Sequence, residues 1–264
     1  MMKNIFLEIE YDGSEYFGWQ IQKERLKNPD IKLKGHKEKV KTIQGELESS
    51  LEKLFRKKIR VVYAGRTDRG VHAKGQCVNF KIDTAIPLKK IKIALNALLP
   101  ENIRIKKIKF VPLSFHARFS AKSKVYRYVI LNKKDPSVFL YKYAWYLPQR
   151  VEIERMKEIA SYLKGERDFF FFAKGALRYK SCCRKMINVS VRKRQSLIYI
   201  DMEATGFLRN MARNIVMFLV KIGEGKINLK EAKKIIDRKI AYIPNPAPAK
   251  GLYLWKVKYE EEKN

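Results

Sequence analysis

The chain has 264 residues, 46% of them hydrophobic, enough to bury the core of one large domain or of two modest ones. Lysine and arginine number 58 against 27 aspartates and glutamates; a net charge of +31 points to an anionic partner, of which nucleic acid is the natural one, although growth-temperature or genome bias also enriches lysine. No stretch approaches the roughly 20 uninterrupted apolar residues of a membrane span, and no membrane partner is expected.

Met1-Met2-Lys3-Asn4 leads directly into the alternating strand pattern Ile5-Phe6-Leu7-Glu8-Ile9-Glu10-Tyr11, with no signal-peptide character, so a cytoplasmic protein is expected. Asp12-Gly13 marks a turn. The aromatic segment Tyr16-Phe17-Gly18-Trp19-Gln20 follows, readable as a site or as the edge of a core. Residues 23 to 41 carry eight lysines and arginines around a turn-forming Asn28-Pro29-Asp30 and read as a basic surface loop. Leu47, Leu51, Leu54 and Phe55 recur at helical spacing, and Ile59-Arg60-Val61-Val62-Tyr63-Ala64 reads as a short strand. Gly65 to Gly70 is then the loop that leaves this strand.

Alternation resumes at Cys77-Val78-Asn79-Phe80-Lys81-Ile82, a helix is predicted from Pro87 to Leu99 with Pro100 stopping it, and Ile103 and Ile105 begin another strand. In Val125 to Ile130 the period of two puts Tyr126 and Tyr128 on one face and Arg127 on the other. Ile153, Met156, Ile159, Ala160 and Leu163 make a helix closed by Gly165, and residues 186 to 203 read as two strands joined by a turn near Gln195. A helix predicted from Phe207 to Ile222 is apolar nearly all round, yet places Arg209 and Arg213 on one face beside Asn210 and Asn214; a buried arginine there calls for an acidic partner. Asn228 and Glu231 form a capping-box start for the last helix, and Leu252, Leu254 and Lys256 alternate in a final strand. Helices and strands intermix without a Gly-rich dinucleotide or Walker turn, which predicts an α+β chain in two similar halves, residues 1–112 and 113–264. Cys77, Cys182 and Cys183 lack paired metal-ligand spacing and His36, His72 and His116 form no His-x-x-x-His pattern, so reduced thiols and no metal are expected.

The segment Gly65-Arg66-Thr67-Asp68-Arg69-Gly70-Val71-His72, followed by Gly75-Gln76, resembles the catalytic loop of the TruA family of tRNA pseudouridine synthases. Further family-like segments run in order along the chain: Glu10-Tyr11-Asp12-Gly13, Gly18-Trp19-Gln20, Phe115-His116-Ala117-Arg118-Phe119-Ser120, Tyr126-Arg127-Tyr128, Asp168-Phe169, Met211-Ala212-Arg213-Asn214 and Ala247 to Leu252. The resemblance implies the pseudouridine synthase fold, two α/β subdomains with mainly antiparallel sheets around a central basic cleft. It implies a homodimer in which one tRNA contacts both subunits, and no cofactor. Three departures stand out: the basic stretch from 23 to 41 is longer than the family connection, Met217 replaces a common glycine, and Phe170 to Phe172 replace a more polar stretch.

Pseudouridine formation breaks the bond from ribose C1′ to uracil N1, turns the base and rejoins it through C5 without net oxidation or energy input. A carboxylate either attacks C1′ and holds the sugar covalently or abstracts a ribose proton to give a glycal, and both roles need an ionised Asp at the sugar. Asp68 matches the family's catalytic residue, and similarity assigns Arg213 as its ion-pair partner; without the resemblance, Asp68 equally suits the cap of a turn. Tyr126 matches the tyrosine that stacks on the target uracil, where an ordinary core tyrosine is the plainer reading. Arg66, His116 and Arg118 are assigned to binding the tRNA, with a local structural role equally open for His116 and Arg118, and His72 to supporting the loop. The resemblance places the target uridine at positions 38, 39 and/or 40 of the tRNA anticodon stem-loop. A non-enzymatic RNA-binding protein would have no need of the Asp68 loop, and an RNA methyltransferase would need a cofactor site.

Overall fold

The computed structural model describes residues 1–22 and 40–260. The basic loop expected at 23 to 41 falls on residues 23–39, outside those described, except for Val40 and Lys41. The chain forms two compact units, Met1–Ser120 and Ala121–Asn264.

The first unit contains β1 (Met2–Tyr11), α1 (Ile43–Phe55), β2 (Val62–Tyr63), β3 (His72–Asp83), α2 (Leu88–Leu98) and β4 (Ile103–Val111). β1 lies between β3 and β4 and is antiparallel to both, while β2 pairs with β3. Ile5, Leu7 and Ile9, which the alternating pattern placed on one face, have no exposed surface. Thr42 opens α1 by accepting the Gly45 N–H on its Oγ1 at 3.2 Å, satisfying one of the donors a helix start leaves over. The predicted strand at 59 to 64 shrinks to Val62–Tyr63. The cause is the buried carboxylate of Glu48 on α1, which accepts the Val61 N–H at 3.1 Å and pairs with Arg60 at 2.9 Å, diverting a backbone donor that a longer strand would have used.

The second unit contains β5 (Ser123–Leu131), β6 (Trp145–Tyr146), α3 (Ile153–Tyr162), β7 (Gly165–Asp168), β8 (Cys183–Arg194), β9 (Leu197–Ala204), α4 (Met211–Gly223), α5 (Leu229–Ile236) and β10 (Leu252–Lys258). Its strands run in the order β10-β5-β9-β8-β7, all antiparallel, with the short β6 parallel to β5. Gln195, at φ 53°, turns the chain from β8 to β9. Asn228 Oδ1 accepts the Glu231 N–H at 2.9 Å, the predicted cap of α5. Each unit therefore mixes helices with a mainly antiparallel sheet, as the sequence leads one to expect.

Two boundaries differ from the sequence reading. α4 begins at Met211 instead of Phe207 because Asn210 adopts the left-handed conformation at φ 61°, so Arg209 precedes the helix and lies exposed instead of sharing a helical face with Arg213. In β10 a register shift between Leu254 and Lys256 breaks the alternation, exposing Lys256 and burying Val257. The three consecutive phenylalanines fit through a single 3₁₀ turn: Phe172 enters the core against Phe218 at 5.3 Å, while the Arg238 guanidinium covers Phe170 and Phe171 at 4.5 and 5.5 Å. Met217 is accommodated as a half-buried side chain on α4.

β5 is sealed by the segment that leads into β10. Tyr128, wholly buried, donates its hydroxyl to the Pro248 carbonyl at 2.7 Å, and Gly251 lies against its ring. A Cβ on Gly251 would stand 2.6 Å from Tyr128 Cζ and 2.8 Å from the Val129 carbonyl oxygen. Gly251→Ala is expected to cost about 1–3 kcal/mol through this overpacking, seen as a lower midpoint of thermal unfolding; an unchanged midpoint would show that the ring yields freely.

Candidate active site

The Gly65–His72 loop runs from β2 into β3, and its backbone is tied at several points. Gln76 Nε2 donates to the Gly65 carbonyl at 2.7 Å, the Trp19 N–H to the Thr67 carbonyl at 3.1 Å, and the Val71 N–H to the Asp68 carbonyl at 3.1 Å. Thr67 is buried with its Oγ1 2.8 Å from the hydroxyl of Tyr11, at the end of β1. Burial pushes the Tyr11 phenol far up, against the opposing effect of its Thr67 hydrogen bond, so this contact stays between neutral groups. Asp68 is half-buried and stands between the exposed Arg66 and Arg69.

The aromatic segment 16–20 supports this loop. Gly18, at φ 91°, passes so close that a Cβ would stand 2.6 Å from the Thr67 carbonyl oxygen and 3.1 Å from the Arg69 nitrogen, which requires glycine on both counts. Trp19 is fully buried, with its ring 6.0 Å from Tyr11 and 5.4 Å from Tyr63. Arg66 Nε donates to the Tyr63 hydroxyl at 3.0 Å, and the Arg69 guanidinium lies over Phe17 at 4.2 Å. His72 is buried; its Nδ1 accepts the Gly13 N–H at 3.1 Å and stands 3.1 Å from Asp12 Oδ1, so an unprotonated Nδ1 serves Gly13 and a protonated one would pair with Asp12.

His116 and Arg118 occupy a different part of the first unit. His116 Nδ1 accepts the N–H groups of Arg118 and Phe119 at 3.2 and 3.3 Å, and the Arg118 guanidinium lies 5.4 Å from the Phe119 ring. This turn is anchored by Asn79 of β3, whose Oδ1 accepts the Ala117 N–H at 2.8 Å. Asn79 is seven positions along β3 from His72, about 23 Å at the rise of a strand, so His116 is not brought beside Asp68 by this strand. In the second unit, Tyr126 is buried on β5 between Leu254 and Met202, its ring edge-on to Phe207 at 4.8 Å. Arg213 is half-buried on α4; its Nε donates to the Ala247 carbonyl at 2.6 Å, and the Ala247 N–H returns a bond to the Arg213 carbonyl at 3.2 Å.

Sequence reasoning gave no role to Tyr11, Gly18 or Gln76, which hold the loop, nor to Asn4 and Asn79. Of these, Asn79 carried a signal as a polar residue between Val78 and Phe80, whereas Asn4 only precedes the apolar run at Ile5; each is buried and hydrogen-bonded to the turn at 112–117. The Tyr11–Thr67 contact joins residues 56 positions apart and had no local signature.

A family model described as tRNA pseudouridine synthase matches residues 9–120 and 159–260. The chain is 40% identical over 261 residues to the tRNA pseudouridine synthase A of Thermoanaerobacter sp. (strain X514), covering 98% of this chain and 100% of that one. Proteins of the same name from Caldicellulosiruptor bescii and Oceanobacillus iheyensis are 39% and 37% identical, over 98% and 100% of this chain and 100% and 99% of theirs.

The buried hydroxyl pair can be tested directly. Thr67→Val leaves the Tyr11 hydroxyl without this partner and is expected to cost about 1–3 kcal/mol in denaturant unfolding, whereas Thr67→Ser keeps the hydroxyl and should recover most of that loss. Equal effects of the two substitutions would show that the methyl group matters more than the hydrogen bond.

Proposed function

The chain belongs to the tRNA pseudouridine synthase family, and from that premise we propose that it acts on the uridines at positions 38, 39 and/or 40 of the anticodon stem-loop, with Asp68 working at the ribose. As a member of that family it is an isomerase that converts uridine to pseudouridine in tRNA. The bond from C1′ to N1 breaks, a bond from C1′ to C5 forms, N1 gains a proton and C5 loses one, so atoms and electrons balance with no co-reactant. In this reading the Asp68 carboxylate either attacks C1′ or takes a ribose proton to give a glycal.

The observation that carries the reading is the loop itself. Thr67 is locked to Tyr11 and Trp19 on one side of Asp68 and Val71 closes onto the Asp68 carbonyl on the other, so the carboxylate is presented from fixed backbone. Tyr126 is assigned to stacking on the extruded uracil, supported by a ring already fixed against Phe207. Arg213 is assigned as the ion-pair partner of Asp68, supported by the Nε bond to Ala247 that fixes the direction of its guanidinium. Arg66, His116 and Arg118 contact the tRNA, and the protein works in the cytoplasm as a homodimer whose two copies share one tRNA. The lysine-rich surface binds phosphates and sets register without reading bases.

The test is tRNA tritiated at uridine C5. Tritium released to water without added cofactor, with pseudouridine confined to positions 38 to 40, is the expected result. No release from any folded tRNA would sink the enzyme reading; release with product only outside the anticodon arm would keep the chemistry and reject the positions. Asp68→Asn should lower turnover by at least about a thousandfold with tRNA affinity little changed, and activity near wild type would remove Asp68 as the catalyst. Tyr126→Phe keeps stacking and loses the hydroxyl, whereas Tyr126→Ala loses both; normal turnover in both would refute the assignment. Arg213→Ala should lower turnover and the unfolding midpoint together, and an undamaged variant would argue for a purely peripheral arginine.

A further inference from the structure

The first unit carries a concavity of about 490 Å³ that the Asp68 chemistry above does not use, and His116, assigned above to the tRNA, is part of its lining. It is lined by the turn after α1, with Lys57 and Lys58, by the turn at 113–116, and by the last residues of β3, including Lys81. Apolar atoms of Ile59, Val62, Ile82, Leu113 and Phe115 line it, and Leu113 is 52% exposed despite its size. The volume lies within the range of small-ligand sites, roughly 300–1,000 Å³.

Both turns are built on buried polar groups. Asn4 Nδ2 donates to the carbonyls of Pro112 and Phe115 at 2.9 and 3.1 Å, and Asn79 Nδ2 donates to Asn4 Oδ1 at 2.9 Å and to the Phe115 carbonyl at 3.3 Å. At the other turn, Glu48 takes the Val61 N–H, Arg60 and the Gln44 amide, fixing the chain that carries Lys57 and Lys58. Each of these three buried residues is satisfied by a wall of the groove, so its shape is set before any ligand arrives. The acidic residue in its lining, Asp83, is paired with the Met1 ammonium at 2.6 Å, which leaves the lysines to dominate the field.

A lining that combines apolar residues with Lys57, Lys58 and Lys81 suits a ligand with a flat face and a phosphate. We propose that this groove is a second RNA-binding site, taking one nucleotide unit of the tRNA strand with its base on the apolar lining and its phosphates on Lys57, Lys58 and Lys81. The proposal rests on tRNA being the substrate. The groove begins at Asn79, about 23 Å along β3 from the Asp68 loop at the rise of a strand, or roughly seven steps of a stacked nucleic-acid strand at about 3.4 Å each. It therefore meets a different nucleotide from the one that reacts, and its contribution falls on binding instead of chemistry.

The experiment compares the wild type with Lys57→Gln/Lys58→Gln/Lys81→Gln and, separately, Leu113→Gln. Binding of unmodified tRNA is titrated between about 50 and 200 mM salt, beside tritium release at saturating tRNA. The triple variant should flatten the slope of log affinity against log salt by about 2–3 and raise KM with kcat unchanged; Leu113→Gln should weaken binding with the slope retained. Thermal midpoints equal to wild type exclude misfolding, and a lowered midpoint in the triple variant is answered by Leu113→Gln alone, whose unchanged affinity would then overturn the proposal. Affinity and slope equal to wild type in the triple variant also overturn it, as does a fall in kcat without a change in affinity. Uridine 5′-monophosphate provides the remaining arm: if the triple variant loses only this free nucleotide and binds tRNA as before, the site serves a metabolite and the RNA proposal fails. Should the wild type release no tritium, the enzyme reading falls while the salt slopes still decide the groove.

Discussion

The hydroxyls of Tyr11 and Thr67 meet 2.8 Å apart where water has no access, and the position of Asp68 follows from that contact. Tyr11 closes β1, whose pairing with β3 runs from Met2 opposite Asp83 to Tyr11 opposite Ala73, with an irregularity between Ile9 and Tyr11. The height of the phenol above the loop is therefore set by strand register, and a slip of one residue would turn it to the other face of the sheet. Gly18 and Trp19 then close on Thr67 from the opposite side. A loop of glycines and charged residues has little to hold itself with; its rigidity is borrowed from β1 and from an aromatic turn some fifty residues upstream.

The acidic residues, outnumbered two to one, are shared between cations. Glu10 receives both Lys74 and Lys106, at 3.0 and 3.1 Å; Asp201 receives Arg127 and Arg192, at 2.7 and 2.6 Å; Glu203 receives Lys258 at 2.9 Å and the Ser123 hydroxyl at 2.6 Å. Burial works against ionisation of Glu10 and Glu203, yet these partners hold both below the usual carboxylate range. Their folded-state values lie below the unfolded ones, so the stability they contribute is present above the ordinary carboxylate range and lost as pH falls through it. Arg127 also lies over Trp255 at 4.0 Å, which lets one sheet face keep a charge without a separate hydration shell. The positive charge left over is carried at the surface, where a polyanion can reach it.

Periodicity read most of the elements because several of them, such as α2, α3 and β9, bury one face and leave the other partly exposed. It failed where the backbone left its regular path, captured by a distant side chain, turned left-handed or shifted in register. The strand at 59 to 64 was shortened by Glu48, a residue of the preceding helix; α4 lost its first turn to the left-handed Asn210; the final strand changed phase at a bulge that alternation cannot show. The Asp68 loop was legible through its resemblance to a family motif, since composition alone allowed a plain turn. Its supports were visible as residues but not as partners, because Tyr11 and Thr67 are joined across 56 positions.

The bond from Tyr128 to Pro248 spans 120 residues, and that span bears on how the protein is made. While a ribosome extends the chain at about 5–20 residues per second, β5 emerges roughly 6–24 s before the segment that covers it. During that interval β9 can pair along one edge of β5, β6 can pair at Ile130 and Leu131 and Trp145 can meet the Tyr128 ring, but the stretch destined for β10 and the Tyr128 hydroxyl wait for their native partners. The second unit is thus completed only when β10 is delivered, and until then β5 carries the hazards of an open strand edge.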